Sequence, residues 1–103
     1  MFRSSIGTKS EAERWLDFSL RDITGSWVST DGAPLVRIYR TKGKGEYRLV
    51  FTYNNPQAVY SRPIREVDHI RYFCLFGRIG IAYDAERDML LLSAYGEYRR
   101  AED

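Results

Sequence analysis

The chain has 103 residues, 44% hydrophobic and 15% aromatic, which is a globular composition with room for one domain and not that of a disordered chain. Sixteen basic residues against 14 acidic ones leave a net charge of +2. The two signs are interspersed without a long like-charge block, so the clustered basic footprint of a nucleic-acid binder is missing and nucleic acid is not an expected partner.

The first element in chain order is a helix over about residues 9–23. In KSEAERWLDFSLRDI the apolar Ala12, Trp15, Leu16, Leu20 and Ile23 recur at spacings of three and four, with Arg14, Asp17 and Arg21 on the other side. Ser10 and Glu13 form a capping-box pair at its start, and Gly25 suits the left-handed position just past its end.

From Ser26 the period changes to two, and a β meander is expected over about 26–100. SWVST is stopped by Asp31-Gly32 and Pro34; LVRIYRT puts Val36 and Ile38 on one face and Leu35, Arg37 and Tyr39 on the other. KGKG turns the chain into EYRLVFTY, where Tyr47, Leu49, Phe51 and Tyr53 share a side, and NNPQ turns it again. AVYSRPIRE is strand-like, but Pro63 cannot donate to a ladder, so an edge, a bulge or a break is expected there. After VDH come IRYFCLF, then Gly77, RIGIAY with Ile79, Ile81 and Tyr83 alternating with Arg78, Gly80 and Ala82, the polar DAERD, and MLLLSAYGEYRR as the last strand or pair of strands.

About seven short strands joined by turns of two to five residues must run antiparallel, because parallel neighbours need crossovers of a dozen residues or more. One amphipathic helix cannot cover them all. The expected fold is therefore a mainly β, up-and-down meander curled into a small barrel or half-barrel, preceded by the helix, in a single domain spanning 1–103.

The motifs exclude more chemistry than they suggest. One histidine, His69, and one cysteine, Cys74, do not make a metal set, and a lone cysteine in an apolar run reads as a buried, inert thiol. Asp84, Glu86 and Asp88 alternate as calcium-loop ligands do but lack the loop glycine and closing glutamate, so a solvated hairpin turn is the better reading. TKGKGE joins strand to strand, where a phosphate loop would join strand to helix, and no nucleophile elbow occurs. No enzyme activity, cofactor or metal is expected. No apolar leader and no 18-residue apolar run is present, so a cytoplasmic protein without a membrane partner is expected.

The eight tyrosines are the informative set. Arg37, Tyr47, Phe51, Tyr53, Tyr60, Arg62, Tyr72 and Tyr83 are the candidate ligand-binding residues, aromatic walls with arginines (Arg65 is another) for an anionic head group. Core filling by the same rings is the competing reading, and the weightier one. Trp15, Gly25, Trp27, Arg99 and Arg100 are the candidate structural residues.

Gly25-Ser26-Trp27, after a helix and at the head of a meander, resembles the Gly-x-Trp entry of lipocalin-like barrels. That resemblance implies a tryptophan packed across the closed end, with Arg99 or Arg100 of the last strand over its ring. It also implies a non-enzymatic binding domain for a small apolar or amphipathic ligand. Hydrophobic residues on both faces near the C-terminus depart from an open calyx. They support an alternative, a protein-interaction or assembly module using its sheet surface as a homodimer, with Met89 and Leu91 facing one way and Leu90, Leu92 and Ala94 the other. ITGSWVSTDG, YRLVFTY and DMLLLSAYGEYRR are similar to a family of short uncharacterised Bacteroidetes proteins associated with conjugative transposons, which implies a bacterial, intracellular, lipocalin-like domain and supplies no catalytic residues.

Overall fold

The computed structural model describes residues 11–43, 45–54 and 57–101. It shows a short helix α1 (Glu11–Leu16), a 3₁₀ turn (Leu20–Ile23) and nine strands: β1 (Gly25–Ser29), β2 (Leu35–Arg40), β3 (Tyr47–Asn54), β4 (Gln57–Pro63), β5 (Arg65–Val67), β6 (Ile70–Cys74), β7 (Arg78–Asp84), β8 (Met89–Leu92) and β9 (Gly96–Arg100). They form one antiparallel sheet in the order β4-β3-β2-β1-β9-β8-β7-β6-β5, curled into a nearly closed barrel.

The strand count exceeds the expected seven for two local reasons. Pro63 ends β4, and the chain then swings at Ile64 into β5. Pro63 still stands opposite Arg48 of β3, and the Ile64 amide donates to the Tyr47 carbonyl at 2.8 Å, whereas Arg65 already faces Tyr72 of β6. The stretch 57–67 is thus one extended stave whose first part belongs to one side of the barrel and whose last part belongs to the other. MLLLSAYGEYRR likewise divides at the Ser93–Tyr95 turn into β8 and β9.

The helix is shorter than the periodicity implies. Ser10, its expected cap, lies outside the described residues, and regular helix stops at Leu16. A helix continued to Ile23 would carry Phe18 on the polar face beside Arg14 and Arg21. Breaking it lets Phe18 pack edge-on against Tyr83, with ring centroids 6.0 Å apart. Gly25 directly follows Thr24, the C-cap of the 3₁₀ turn, at a positive φ of +125°, and it is also the first residue of β1. That conformation requires glycine, and a Cβ there would in addition sit 3.0 Å from Arg100 Nη1 and oblige the guanidinium to shift by a few tenths of an ångström.

Alternation places the core. Trp27, Val36, Ile38, Leu49, Phe51, Phe73, Ile79, Ile81, Leu90, Leu92 and Tyr98 point inward and are buried. Phe73 and Leu75 point inward, so Cys74 between them is exposed on the outer face, contrary to its expected burial.

One end of the barrel is closed around Trp27. Its indole N–H donates to the Ile23 carbonyl at 2.9 Å, its ring meets Tyr83 edge-on at 6.2 Å, and the Arg100 guanidinium covers its face at 4.3 Å. Arg100 also donates to both carboxylate oxygens of Asp88 (2.8 and 3.0 Å) and to the carbonyls of Asp22 (2.9 Å) and Thr24 (2.6 Å). Tyr83 completes the ring of contacts by donating to Asp88 Oδ1 at 2.7 Å. The hydrogen bonds from Arg100 hold the Asp88 carboxyl below its ordinary range, and burial pushes the Tyr83 phenol up. Asp84 and Asp88 serve the β7–β8 turn, where Asp84 Oδ1 accepts the Glu86 amide at 3.2 Å.

Two outcomes follow from this end. Truncating Trp27 to alanine should cost about 3–5 kcal/mol, a large share of a small domain's stability, so circular dichroism melting should find the variant unfolded or barely folded. A wild-type melting curve would refute the packing role. Because the folded Asp88 carboxyl titrates lower than the unfolded one, its contribution is complete above about pH 4 and is lost as pH falls through the depressed folded value. The group is partly exposed, so the loss should be on the order of 1 kcal/mol or less. Urea titrations of wild type and Asp88→Asn at pH 3 and pH 6 should show that increment in the wild type and not in the variant.

Candidate functional site

The barrel is closed on one side by the pairing of β1 with β9, but β4 and β5 are the two ends of the sheet order and share no ladder. A seam therefore runs between β4 and the strands beyond it. In an antiparallel ladder, residues directly opposite share a face, and Tyr60 stands opposite Phe51 while Arg62 stands opposite Leu49. Both side chains therefore lie on the inner side of the seam, half-buried.

Aromatic rings fill the barrel toward this seam and continue out of it. Phe73 packs on Phe51 (5.4 Å between centroids), Phe51 on Tyr95 (4.8 Å) and Tyr53 (6.3 Å), Tyr53 on Tyr60 (5.7 Å), and Tyr60 on Phe76 (5.7 Å). The first members are fully buried; the last, Phe76, is 85% exposed. Phe76 stands in the β6–β7 turn with φ +57°, a left-handed conformation that a bulky side chain adopts at a cost. The Arg62 guanidinium lies 5.7 Å from the Tyr60 ring and donates to the Ser61 carbonyl at 2.9 Å.

Phenol groups set the polarity beneath. The hydroxyls of Tyr53 and Tyr95 are 3.5 Å apart, and that hydrogen bond, with burial, raises the Tyr53 phenol above 10. Burial raises the Tyr98 phenol further, and its hydroxyl donates to the Pro34 carbonyl at 2.9 Å. These phenols stay protonated at neutral pH. They can donate and accept hydrogen bonds and grip an apolar or aromatic body.

The candidate ligand residues divide three ways. Tyr53, Tyr60 and Arg62 meet at the seam, and Phe51 is buried behind them. Tyr47 packs on the core beside Ile64, and Tyr83 belongs to the closed end. Arg37 and Tyr72 lie on the outer face, Arg37 exposed and Tyr72 beneath the Arg78 guanidinium at 4.5 Å, so neither lines the interior. Among the structural candidates, Arg100 covers Trp27, whereas Arg99 points outward opposite Val28. Trp15 is half-buried beside the β7–β8 turn.

Phe76 and Tyr95 were not among the sequence candidates. Phe76 reads as the end of an apolar strand, and the signal that it is a turn residue is the glycine that follows it. Tyr95 sits in a turn that the apolar run around it conceals.

Elsewhere, a groove of about 410 Å³ between α1 and the β5–β6 turn is lined by Glu13, Asp17, Glu66, Asp68, His69 and Arg71, with Arg71 Nε 2.8 Å from Glu66. Another of about 400 Å³ crosses the outer face of β7 and β8, lined by residues that include Leu16, Ile70, Gly80, Ala82 and Leu91. Among the described residues, no group of three or more His, Cys, Asp or Glu side chains is placed to hold a metal ion, and no helix is long and apolar enough to cross a membrane.

No curated protein and no solved structure matches the chain. A family described as "Domain of unknown function, B. Theta Gene description (DUF3876)" matches residues 11–100, from the start of α1 to the arginine that covers Trp27. The chain therefore belongs to that family of unknown function.

Proposed function

We propose that this protein is a non-enzymatic, lipocalin-like binding domain that takes a small apolar or amphipathic ligand at the aromatic seam. The observation that carries this reading is Phe76. A large aromatic side chain that is both 85% exposed and held at positive φ breaks two local rules at once, and it does so where the inner aromatic chain reaches the surface. Neither departure helps the fold, and such departures concentrate at sites of function. The covered Trp27 and the barrel shape support the lipocalin-like part of the reading. The "B. Theta" description of the matched family supports a bacterial protein; we propose a cytoplasmic location and a conjugative-transposon association with it.

A protein-interaction role is the second reading. Its support is the apolar groove on the outer face of β7 and β8, walled by Leu16, Ile70 and Leu91, which a second copy would cover. Light scattering at low micromolar concentration tests it: a dimer favours assembly, and a strict monomer counts against it.

The binding reading is tested by a thermal-shift screen of fatty acids, haem and aromatic metabolites on wild type and Phe76→Gly. Glycine relieves the positive φ but deletes the Tyr60–Phe76 ring contact, so the variant should stay within about 1 kcal/mol of wild-type stability. It should nevertheless lose the ligand-induced shift. A wild type that no ligand stabilises would overturn the reading.

A further inference from the structure

We infer that the ligand of the seam carries an anionic head group and that Arg62 receives it; this rests on the binding reading above. Among the described residues, four arginines stand at inward-facing strand positions: Arg40, Arg62, Arg71 and Arg100. Arg100 is spent on Asp88 and two carbonyls. Arg71, opposite Ile81, bonds Glu66 and the Phe18 carbonyl and lies over the Phe18 ring at 4.9 Å. Arg40 stands exposed at the end of β2, beside Gly45 of the β2–β3 turn.

Arg62 differs from all three. It is half-buried on the inner side of the seam, and among the described residues it has no carboxylate partner. Of the five N–H donors a guanidinium carries, one is given to the Ser61 carbonyl, and the group leans on the Tyr60 ring. Withdrawing a cation from water without a counter-ion is unfavourable, so a half-buried, unneutralised guanidinium favours an anion. A carboxylate matches its remaining donors, and two parallel N–H···O bonds would fix the orientation of the bound molecule. The body of that molecule would then extend from Arg62 past Tyr60 toward Phe76, along the rings that are already in contact. Arg37, between the buried Val36 and Ile38, and Arg65, opposite the outward-facing Tyr72, are the other arginines considered for this role, and both are exposed on the outer face.

The test compares decanoate with decanol by calorimetry at pH 8, on wild type, Arg62→Met and Arg62→Lys. Methionine keeps the apolar stem and removes the charge; lysine restores a charge without the fork. A charge-assisted contact predicts that wild type binds decanoate about tenfold or more tightly than decanol. Arg62→Met should bind both as wild type binds decanol, and Arg62→Lys should recover part of the preference. If Arg62→Met keeps the preference, or if wild type binds the two equally, the assignment of Arg62 is overturned while the binding reading stands. If wild type binds neither, the binding reading falls and this inference with it. Should Arg62→Met fail to fold, the Arg62→Lys result decides alone: an undiminished preference for decanoate overturns the role of the fork, and a reduced preference supports it.

Discussion

The guanidinium of Arg100 is the contact on which the closed end depends. It lies over the Trp27 indole, grips Asp88 in the β7–β8 turn, and takes the last carbonyls of the 3₁₀ turn that leads into β1. One side chain thereby ties together the first strand, the last strand, a hairpin turn and the segment before the barrel. A cation over an indole contributes roughly 0.5–2 kcal/mol, depending on its desolvation, and the hydrogen bonds add geometry as well as energy. The same guanidinium crowds position 25, where a Cβ would stand 3.0 Å from Nη1.

The opposite arrangement holds along the seam. At the closed end, the charged and polar groups around Trp27 find partners, and the Trp27 and Tyr83 rings are buried. Toward β4 the rings become progressively more exposed, β4 and β5 share no ladder, and Arg62 has no carboxylate partner among the described residues. A fold that satisfies one side so fully and leaves the other open separates the residues that maintain it from those free to meet something else. Burial and polar satisfaction make the division.

Much of this architecture was legible from residue order. The period of two named the inward faces of β2, β3 and β7 correctly, and Pro63 marked the break that divides the stave. The short turns required an antiparallel meander. What escaped was tertiary. The helical pattern around Leu16 and Leu20 is real in sequence, but packing of Phe18 on Tyr83 outweighed the propensity of a marginal helix. The face of Cys74 was misjudged because an apolar run of uniform character hides its alternation. The site was only half readable: Tyr53, Tyr60 and Arg62 could be named, but that they meet Phe76 depends on how far the sheet curls.

The pairing pattern also bears on how the barrel is assembled in time. Among the described residues, seven of the eight ladders join strands consecutive in sequence; only β1 with β9 joins distant ones, setting Trp27 opposite Arg100. Neighbouring hairpins have low closure entropy and form from local contacts, whereas the long loop between β1 and β9 must be closed before its contacts repay the cost. The kinetic difficulty of the fold is therefore concentrated in a single event, and the residues that meet there are the tryptophan and the arginine. With β4 and β5 continuous through Ile64, the chain is a ribbon of local pairings fastened into a ring at one place. The clasp and the opening lie in different parts of the ring, so a guest at the seam need not loosen what holds the circle shut.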